Sequence, residues 1–369
     1  MTQRPTIGFP HMNKESGEKR AFLPDFIQYL SSFADVFLAE GYGSRIGFSF
    51  DDYCQGNPNV VEVERKEAFS KDYIIILRSP AEAEFDFIPK GACLISMLHF
   101  PTRPNRVQML NRRSIHAISL DSIIDDYNLR LVENMRAVAW NGIEAAFDIL
   151  ERRWQGLPRT PTDPIRVLIL GTGMVGKHAI EAATKFGNVE RNTRYIEQNG
   201  PGSVAVSVGR NMTEDPVKME ALFRQADILV DATQRRDSGK PVVPNAWIAW
   251  LPEHAVVVDL AVDPYLLDAD PPTVRGIEGI PQGNLDKYIF EPQDPEWEQT
   301  VPSSVPSSHR RTSVTCYSWP GIYPEACMAH YARQMHPLME VLLAKGYSGI
   351  SFEGGYFERA LCRAKLPSN

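Results

Sequence analysis

The stretch Ile165-Arg-Val-Leu-Ile-Leu-Gly171-Thr-Gly173-Met-Val-Gly176 constrains this chain more than any other. An apolar run of strand length stops at a glycine. Three glycines then lead into Lys177-His-Ala-Ile-Glu-Ala-Ala, whose composition is helical. Each glycine has a physical task in a strand–turn–helix that holds a dinucleotide. Gly171 allows the tight turn, Gly173 lets backbone approach a pyrophosphate, and Gly176 lets helix and strand pack closely. Thr172, Met174 and Val175 supply the rest of the turn and the helix start. There, unpaired N–H groups and the positive dipole end favour an anion. A plain strand–turn–helix with convenient glycines is the bland alternative. The context on both sides of the glycines favours the nucleotide.

The rest of the chain suits that reading. Over residues 1–128, short apolar runs (Thr6–Phe9, Val36–Ala39, Tyr73–Leu77, Cys93–Leu98, Ile115–Ser119) alternate with stretches of helical spacing such as Leu23–Phe33 and Thr102–Arg112. Such βα alternation argues for a mainly parallel sheet. Leu129–Trp154 reads as a long connecting helix broken by Pro158, Pro161 and Pro164. A second series follows, with Ile165–Leu170, Ser203–Val208, Ile228–Asp231 and Val256–Leu260 as buried strands. Residues 291–312 read as a loop and Glu325–Lys345 as a helix. The expected fold is α/β, with two doubly wound, Rossmann-like domains joined by long helices around an interdomain cleft. Residues 1–128 with 318–369 form the substrate domain, and 129–317 the dinucleotide domain.

Bulk properties narrow the function. A net charge of -7 gives no basic footprint for nucleic acid. No apolar run reaches the ~18–20 residues that span a bilayer, and the N-terminus has no apolar signal core. The five cysteines (Cys54, Cys93, Cys316, Cys327, Cys362) are scattered, as in a reducing compartment. No His-x-x-x-His or Cys-x-x-Cys pair suggests a metal. A cytoplasmic enzyme without a membrane or nucleic-acid partner is expected, and a homo-oligomer is open to it.

The second strand of a dinucleotide domain ends in an acid when the ribose carries a bare 2′-hydroxyl. Here the sequence runs Val208-Gly209-Arg210-Asn211, with Asn188–Gly202 inserted ahead of the strand. Arg210 suits a 2′-phosphate, so the cofactor is NAD or NADP with NADP favoured; a solvated loop arginine is the alternative. Ala232 and Thr233, just after the strand Ile228–Asp231, complete the cofactor-contact candidates.

Several fragments in shared order resemble the family of alanine dehydrogenase, the transhydrogenase nucleotide-binding subunit and lysine-forming saccharopine dehydrogenase. They are Ile7-Gly8-Phe9-Pro10, Glu18-Lys19-Arg20, Ile76-Leu77-Arg78-Ser79-Pro80 and Ile95-Ser96-Met97-Leu98-His99, then the glycine motif and Ala226-Asp227-Ile228-Leu229-Val230. Val258-Asp259-Leu260-Ala261-Val262-Asp263 and Trp319-Pro320-Gly321-Ile322-Tyr323-Pro324 follow. The resemblance implies that Arg20 binds the substrate carboxylate, His99 moves protons or polarises the carbonyl, and Asp263 lies near the nicotinamide. The Trp319–Pro324 loop would close over the ring. Where the family has a catalytic lysine in Lys-Glu-x-Pro, this chain has Arg78-Ser79-Pro80. Arginine stays charged at every working pH and cannot act as a base, but it can clamp a carboxylate. Asp121 stands where saccharopine-type members place a glutamate.

Arg78, His99 and Asp263 are therefore the catalytic candidates, and Arg20 and Arg78 the substrate-binding ones. A histidine suits proton shuttling because its charge changes near working pH. The bland readings are solvated ion pairs for the arginines, a satisfied core histidine for His99 and a turn residue for Asp263 before Pro264. Three functions remain in play. One is an NAD(P)-dependent amino-acid dehydrogenase forming a 2-oxo acid. The second is a saccharopine- or opine-type secondary-amine dehydrogenase. The third is a cofactor-binding protein without catalysis.

Overall fold

The computed structural model describes residues 4–13, 18–154, 162–235, 237–284, 286–315, 321 and 323–367. The chain divides into two compact units, Met1–Asn134 with Pro320–Asn369, and Met135–Trp319. Each is α/β and built on one six-stranded sheet.

The first unit carries β1 (Thr6–Phe9), β2 (Asp35–Ala39), β3 (Val60–Val63), β4 (Tyr73–Arg78), β5 (Cys93–Met97) and β6 (His116–Ser119). Their order is β3-β2-β1-β4-β5-β6, all parallel. This doubly wound order reverses direction between β1 and β4, and ligands of such sheets bind at the carboxyl ends of the strands near the reversal. Phe9, Phe22, Phe26 and Tyr42 pack edge-on or tilted under β1. The helix Pro324–Gly349 and the C-terminal helix Tyr356–Arg363 belong to this unit. Gly346, at φ 69°, interrupts the longer helix. Beyond it, Leu366 N donates to Ala117 O, and Ser119 N donates to Ala364 O, so the chain end covers the β6 edge.

The second unit carries β7 (Ile165–Leu170), β8 (Ser203–Val208), β9 (Ile228–Asp231), β10 (Val256–Asp259), β11 (Ile289–Phe290) and β12 (Thr312–Thr315). The order is β11-β12-β10-β9-β7-β8, with only β11 antiparallel. β7, β9 and β10 are buried along almost their whole length, in keeping with apolar sequences interrupted only by Arg166 and the terminal Asp231 and Asp259.

Four sequence readings are corrected. β8 is not a buried strand: it lies at the sheet edge, and Val204 and Val206 are exposed. β3 escaped notice because four edge residues containing Glu62 give too short a signal. The long helix begins at Met135, not Leu129. The chain before it is held in a turn, where the Asp125 carboxylate accepts from Tyr127 N and Leu129 N and Leu131 N donates to Ile123 O. Finally, 291–312 is not all loop. The helix Glu296–Thr300 drives Trp297 into the core, where its indole N–H donates to Glu291 O at 2.7 Å. Pro158 and Pro161 lie outside the described residues; Pro164 directly precedes β7.

Candidate functional site

In the second unit, the turn after β7 forms as its glycines require. Gly171 has φ 108°, a region closed to most side chains. A Cβ there would also strike the Ala232 carbonyl. Gly176 sits in the first turn of the helix Met174–Ala183, beside Met174 and Val175. Its Cβ would strike the Gly171 carbonyl. Gly173 differs: its backbone (φ -74°, ψ -169°) suits any residue, and nothing lies within 4 Å of where its Cβ would be. The fold itself does not need this glycine. It leaves room at a helix start that no side chain caps.

That room is part of a cavity of about 360 Å³. Gly171, Thr172, Gly173, Arg210, Ala232 and Thr233 all line it, together with Arg235. The structure therefore gathers these cofactor candidates from the carboxyl ends of β7, β8 and β9. Arg210 is exposed at the rim, and its Nη2 donates to Gln234 O at 2.9 Å. Among the described residues the fit to a dinucleotide is good: open amides, an uncapped helix start, and space where a Cβ would intrude.

Beneath the cavity lies a buried acid–guanidinium cluster that sequence reasoning missed. Asp231, which ends β9, accepts through Oδ1 from Thr233 N at 2.9 Å and Thr233 Oγ1 at 2.7 Å, and so shapes the cavity wall. Its Oδ2 has no hydrogen-bond partner among the described residues. Burial, and then the nearby Asp259 carboxylate, push the Asp231 acid well above the usual carboxylate range. Asp259, ending β10, is ion-paired with the fully buried Arg275. Its Oδ1 accepts from Ala261 N and Val262 N at 3.0 Å, which holds Val262 at φ 55°. A β-branched residue rarely adopts that conformation, so the turn is over-determined. The turn delivers Asp263, which pairs with the cavity-lining Arg235 at 2.8 Å. Arg235 is itself buried and also donates to the carbonyls of Ser238 and Lys240. The only advance signal was that Asp231 and Asp259 each close an apolar strand.

In the first unit, β4 ends in the exposed Arg78, which pairs in register with Met97 of β5. His99 follows two residues later, so Arg78 and His99 occupy neighbouring strand ends. His99 adopts φ 52°, ψ 48°. Its Nδ1 lies 3.2 Å from Asp121 Oδ2, and its backbone N donates to Asp121 Oδ1, also at 3.2 Å. Ser119 Oγ donates to the same Oδ1 at 2.7 Å and accepts from Leu98 N. Burial works to raise the Asp121 pKa, but these bonds outweigh it and hold the carboxyl well below its ordinary value. An ionised, buried carboxylate thus fixes a half-exposed imidazole, with Nε2 on the far side of the ring. Arg20 is buried and bound side-on by Glu18, Nε to Oε1 at 2.5 Å and Nη2 to Oε2 at 2.6 Å. No hydrogen bond described here joins it to Arg78 or His99. Cys316 and, within the Trp319–Pro324 loop, Trp319, Pro320 and Ile322 lie outside the described residues.

Two doubly wound sheets in one chain, the second with a glycine turn opening onto a cavity, define a dinucleotide-binding oxidoreductase. The family models agree. "Alanine dehydrogenase/PNT, N-terminal domain" matches residues 12–139, and "Alanine dehydrogenase/PNT, C-terminal domain" matches 155–264. The chain belongs to the alanine dehydrogenase/PNT family. It is 22% identical over 269 residues to the alanine dehydrogenase of Bacillus subtilis, covering 70% of each chain. A solved L-alanine dehydrogenase aligns with TM-score 0.68 and 20% identity, over 98% of this chain and 94% of that one. A transhydrogenase from Sinorhizobium meliloti aligns with TM-score 0.61 and 16% identity, over 96% of each. No helix among the described residues is long and apolar enough to cross a membrane.

Proposed function

We propose that the chain is an NAD(P)-dependent dehydrogenase of amino acids, with the second unit holding the cofactor and the first the substrate. The observation that carries this is Gly173, whose missing side chain serves nothing in the fold but leaves the helix start open. The pyrophosphate would rest on the amides of Thr172 to Val175. When bound, the nicotinamide supplies the acceptor or donor of hydride at the substrate Cα. This chain's residues bind the amino acid and handle its protons. Arg78, exposed at the end of β4, attracts the carboxylate. His99, held by Asp121, exchanges a proton through Nε2 at the substrate nitrogen or the water that replaces it. Arg235 borders the cavity and is held by its ion pair with Asp263, so the pair orients what occupies it.

Arg210 at the rim, with no acid after β8, favours NADP. Arg210→Ala is expected to weaken NADPH binding about ten- to hundredfold, the range of one or two charge-assisted bonds, and to leave NADH nearly unchanged. Equal loss for both cofactors removes the 2′-phosphate contact.

A second reading is reduction of the secondary imine formed between an amino acid and an oxo acid. The guanidinium of Arg78, in place of a lysine, favours it by adding a site for a second carboxylate. Cofactor absorbance followed with oxo acids plus ammonia, then with oxo acids plus amino acids, separates the two. Turnover with ammonia supports the first, turnover only with a second amino acid the second. Binding without any turnover refutes both.

A further inference from the structure

We infer that the outer edge of β8 docks a second copy of this chain, strand against strand and antiparallel across a two-fold axis. The inference does not depend on the proposed activity. The two sheets start alike: a central strand (β1 or β7) has the next strand of its unit (β2 or β8) on one side. In the first sheet β3 lies outside β2; in the second no described strand lies outside β8. Ile165 N donates to Gly202 O and Gly171 N to Val208 O. The parallel ladder therefore turns residues 204, 206 and 208 toward β7, and points the N–H and C=O groups of Ser203, Ala205 and Ser207 outward.

Bare edges invite pairing, and proteins blunt them with charge, proline, bulges, brevity or a cover. The other three edges here are blunted. β3 carries Glu62, β11 has two residues, and β6 is bridged by Lys365 near the chain end. β8 has none of these devices: Ser-Val-Ala-Val-Ser-Val is uncharged and pairs with β7 in unbroken register.

The occupant is identified by symmetry. Ser203 to Ser207 reads Ser-Val-Ala-Val-Ser in either direction. Antiparallel pairing about Ala205 sets Ala205 opposite its own copy and Ser203 opposite Ser207. All three outward positions then become hydrogen-bonded pairs, in phase. Val204 faces Val206 of the other copy in the closer, non-hydrogen-bonded pairs. These two valines are now 45% and 42% exposed. A stable interface needs about 800 Å² from each partner, more than five strand residues provide. Val189, Ile196 and Val217, exposed on the helices that precede and follow β8 in the chain, are the further apolar side chains available to such an interface. Of the eight large apolar side chains described as exposed in this unit, five fall within 189–217.

The test is light scattering of the full chain across a dilution series, with backbone hydrogen exchange at both ends of the series. The wild type is expected to dimerise. The amides of Ser203, Ala205 and Ser207 should be protected when concentrated and exchange at least tenfold faster when dilute. Those of Val204 and Val206, which face β7, act as an internal control and stay protected. Val206→Lys, at an exposed position, should weaken dimerisation at least tenfold. A monomer at every concentration overturns the proposal, as does an oligomer whose three outward amides exchange freely. Protection of those amides in a monomer also overturns it, by placing a segment of the same chain on the edge. If Val206→Lys fails to fold, exchange in the wild type still decides.

Discussion

Two glycines three residues apart should respond differently to the same methyl group. In Gly176→Ala the new Cβ lies 3.0 Å from the Gly171 carbonyl carbon, and closer still to its oxygen. Both atoms are backbone, so helix and turn must part. Overpacking of this kind costs about 1–3 kcal/mol, and alanine's better helix propensity returns about 1. Neither backbone atom can swing aside, so the upper part of that range, about 2–3 kcal/mol, applies; the net loss is then about 1–2 kcal/mol, or roughly 2–8 °C in Tm for a chain segment of this size. In Gly173→Ala the methyl meets nothing in the fold. The backbone suits alanine, and the gain of about 0.4–1 kcal/mol through the unfolded chain offsets alanine's poorer standing at an N-cap, so the free protein changes little in stability. The same methyl points where a pyrophosphate would approach. Loss of one or two charge-assisted bonds, at about 1.5–3 kcal/mol each, weakens the dinucleotide at least tenfold. Calorimetry of the free proteins and titration with NADH and NADPH read both effects. If Gly173→Ala binds both cofactors as tightly as the wild type, the turn does not hold the phosphates and the argument fails.

Further outcomes follow from the buried acids. Asp121→Asn keeps the shape but removes the ionised partner of His99. Turnover should fall by about 10²–10⁴, the usual worth of acid–base catalysis, with cofactor affinity unchanged; undiminished turnover removes the dyad from the mechanism. Because the Asp121 carboxyl is held low when folded, its contribution to stability is present at neutral pH and is lost as pH falls through the acid range. Asp231 has the opposite sign. Its acid is raised from 3.8 to about 7, so the folded chain keeps a proton that the unfolded chain releases. Its contribution to stability therefore declines as pH rises from about 4 to about 7, then levels off. Asp231→Asn should flatten that part of the stability–pH curve in urea unfolding between pH 4.5 and 8; an unchanged slope refutes the assignment. Gly276→Ala should destabilise by about 1–3 kcal/mol, because its Cβ would enter the space of the Asp231 carboxylate; a normal melting temperature contradicts that packing.

What the sequence revealed of this molecule follows from how local each signal is. β7 and the glycine turn are legible because strand, turn and helix are contiguous between Ile165 and Ala183. β3 and β11 are not, since four or two residues carry no readable period and are defined by neighbours distant in the chain. The same contrast separates the site residues. Gly171, Gly173 and Gly176 announce themselves by spacing, and His99 by following an apolar strand. Asp121 could be noticed but not given its role, because its bond to His99 spans two strand ends. Arg235 and Arg275 carry no local mark at all. Their functions come from Asp263 and Asp259, reached only when separate βα segments fold together. Arg20 has a local partner that its sequence did not announce: Glu18, two residues away, binds one edge of its guanidinium.

Under the proposed function, the two sheets solve different chemical problems with the same strand-end geometry. An anion such as a pyrophosphate is held by backbone amides, which do not titrate and need only space and a helix start. The second unit accordingly spends glycines at its binding turn and hides its charged groups beneath the cavity wall. Proton transfer needs a side chain that titrates near working pH in a fixed orientation. Backbone cannot supply this, so the first unit spends an imidazole and a buried carboxylate at its strand ends. That division accounts for the placement of Asp121 and Asp231. Each is buried just past or at a strand end, but hydrogen bonds from His99 and Ser119 keep the first ionised. The second, with one oxygen lacking a described partner and Asp259 nearby, favours the neutral acid. Burial alone pushes both the same way; it is the partners that turn one into a support for an imidazole and the other into a strut under the cavity wall.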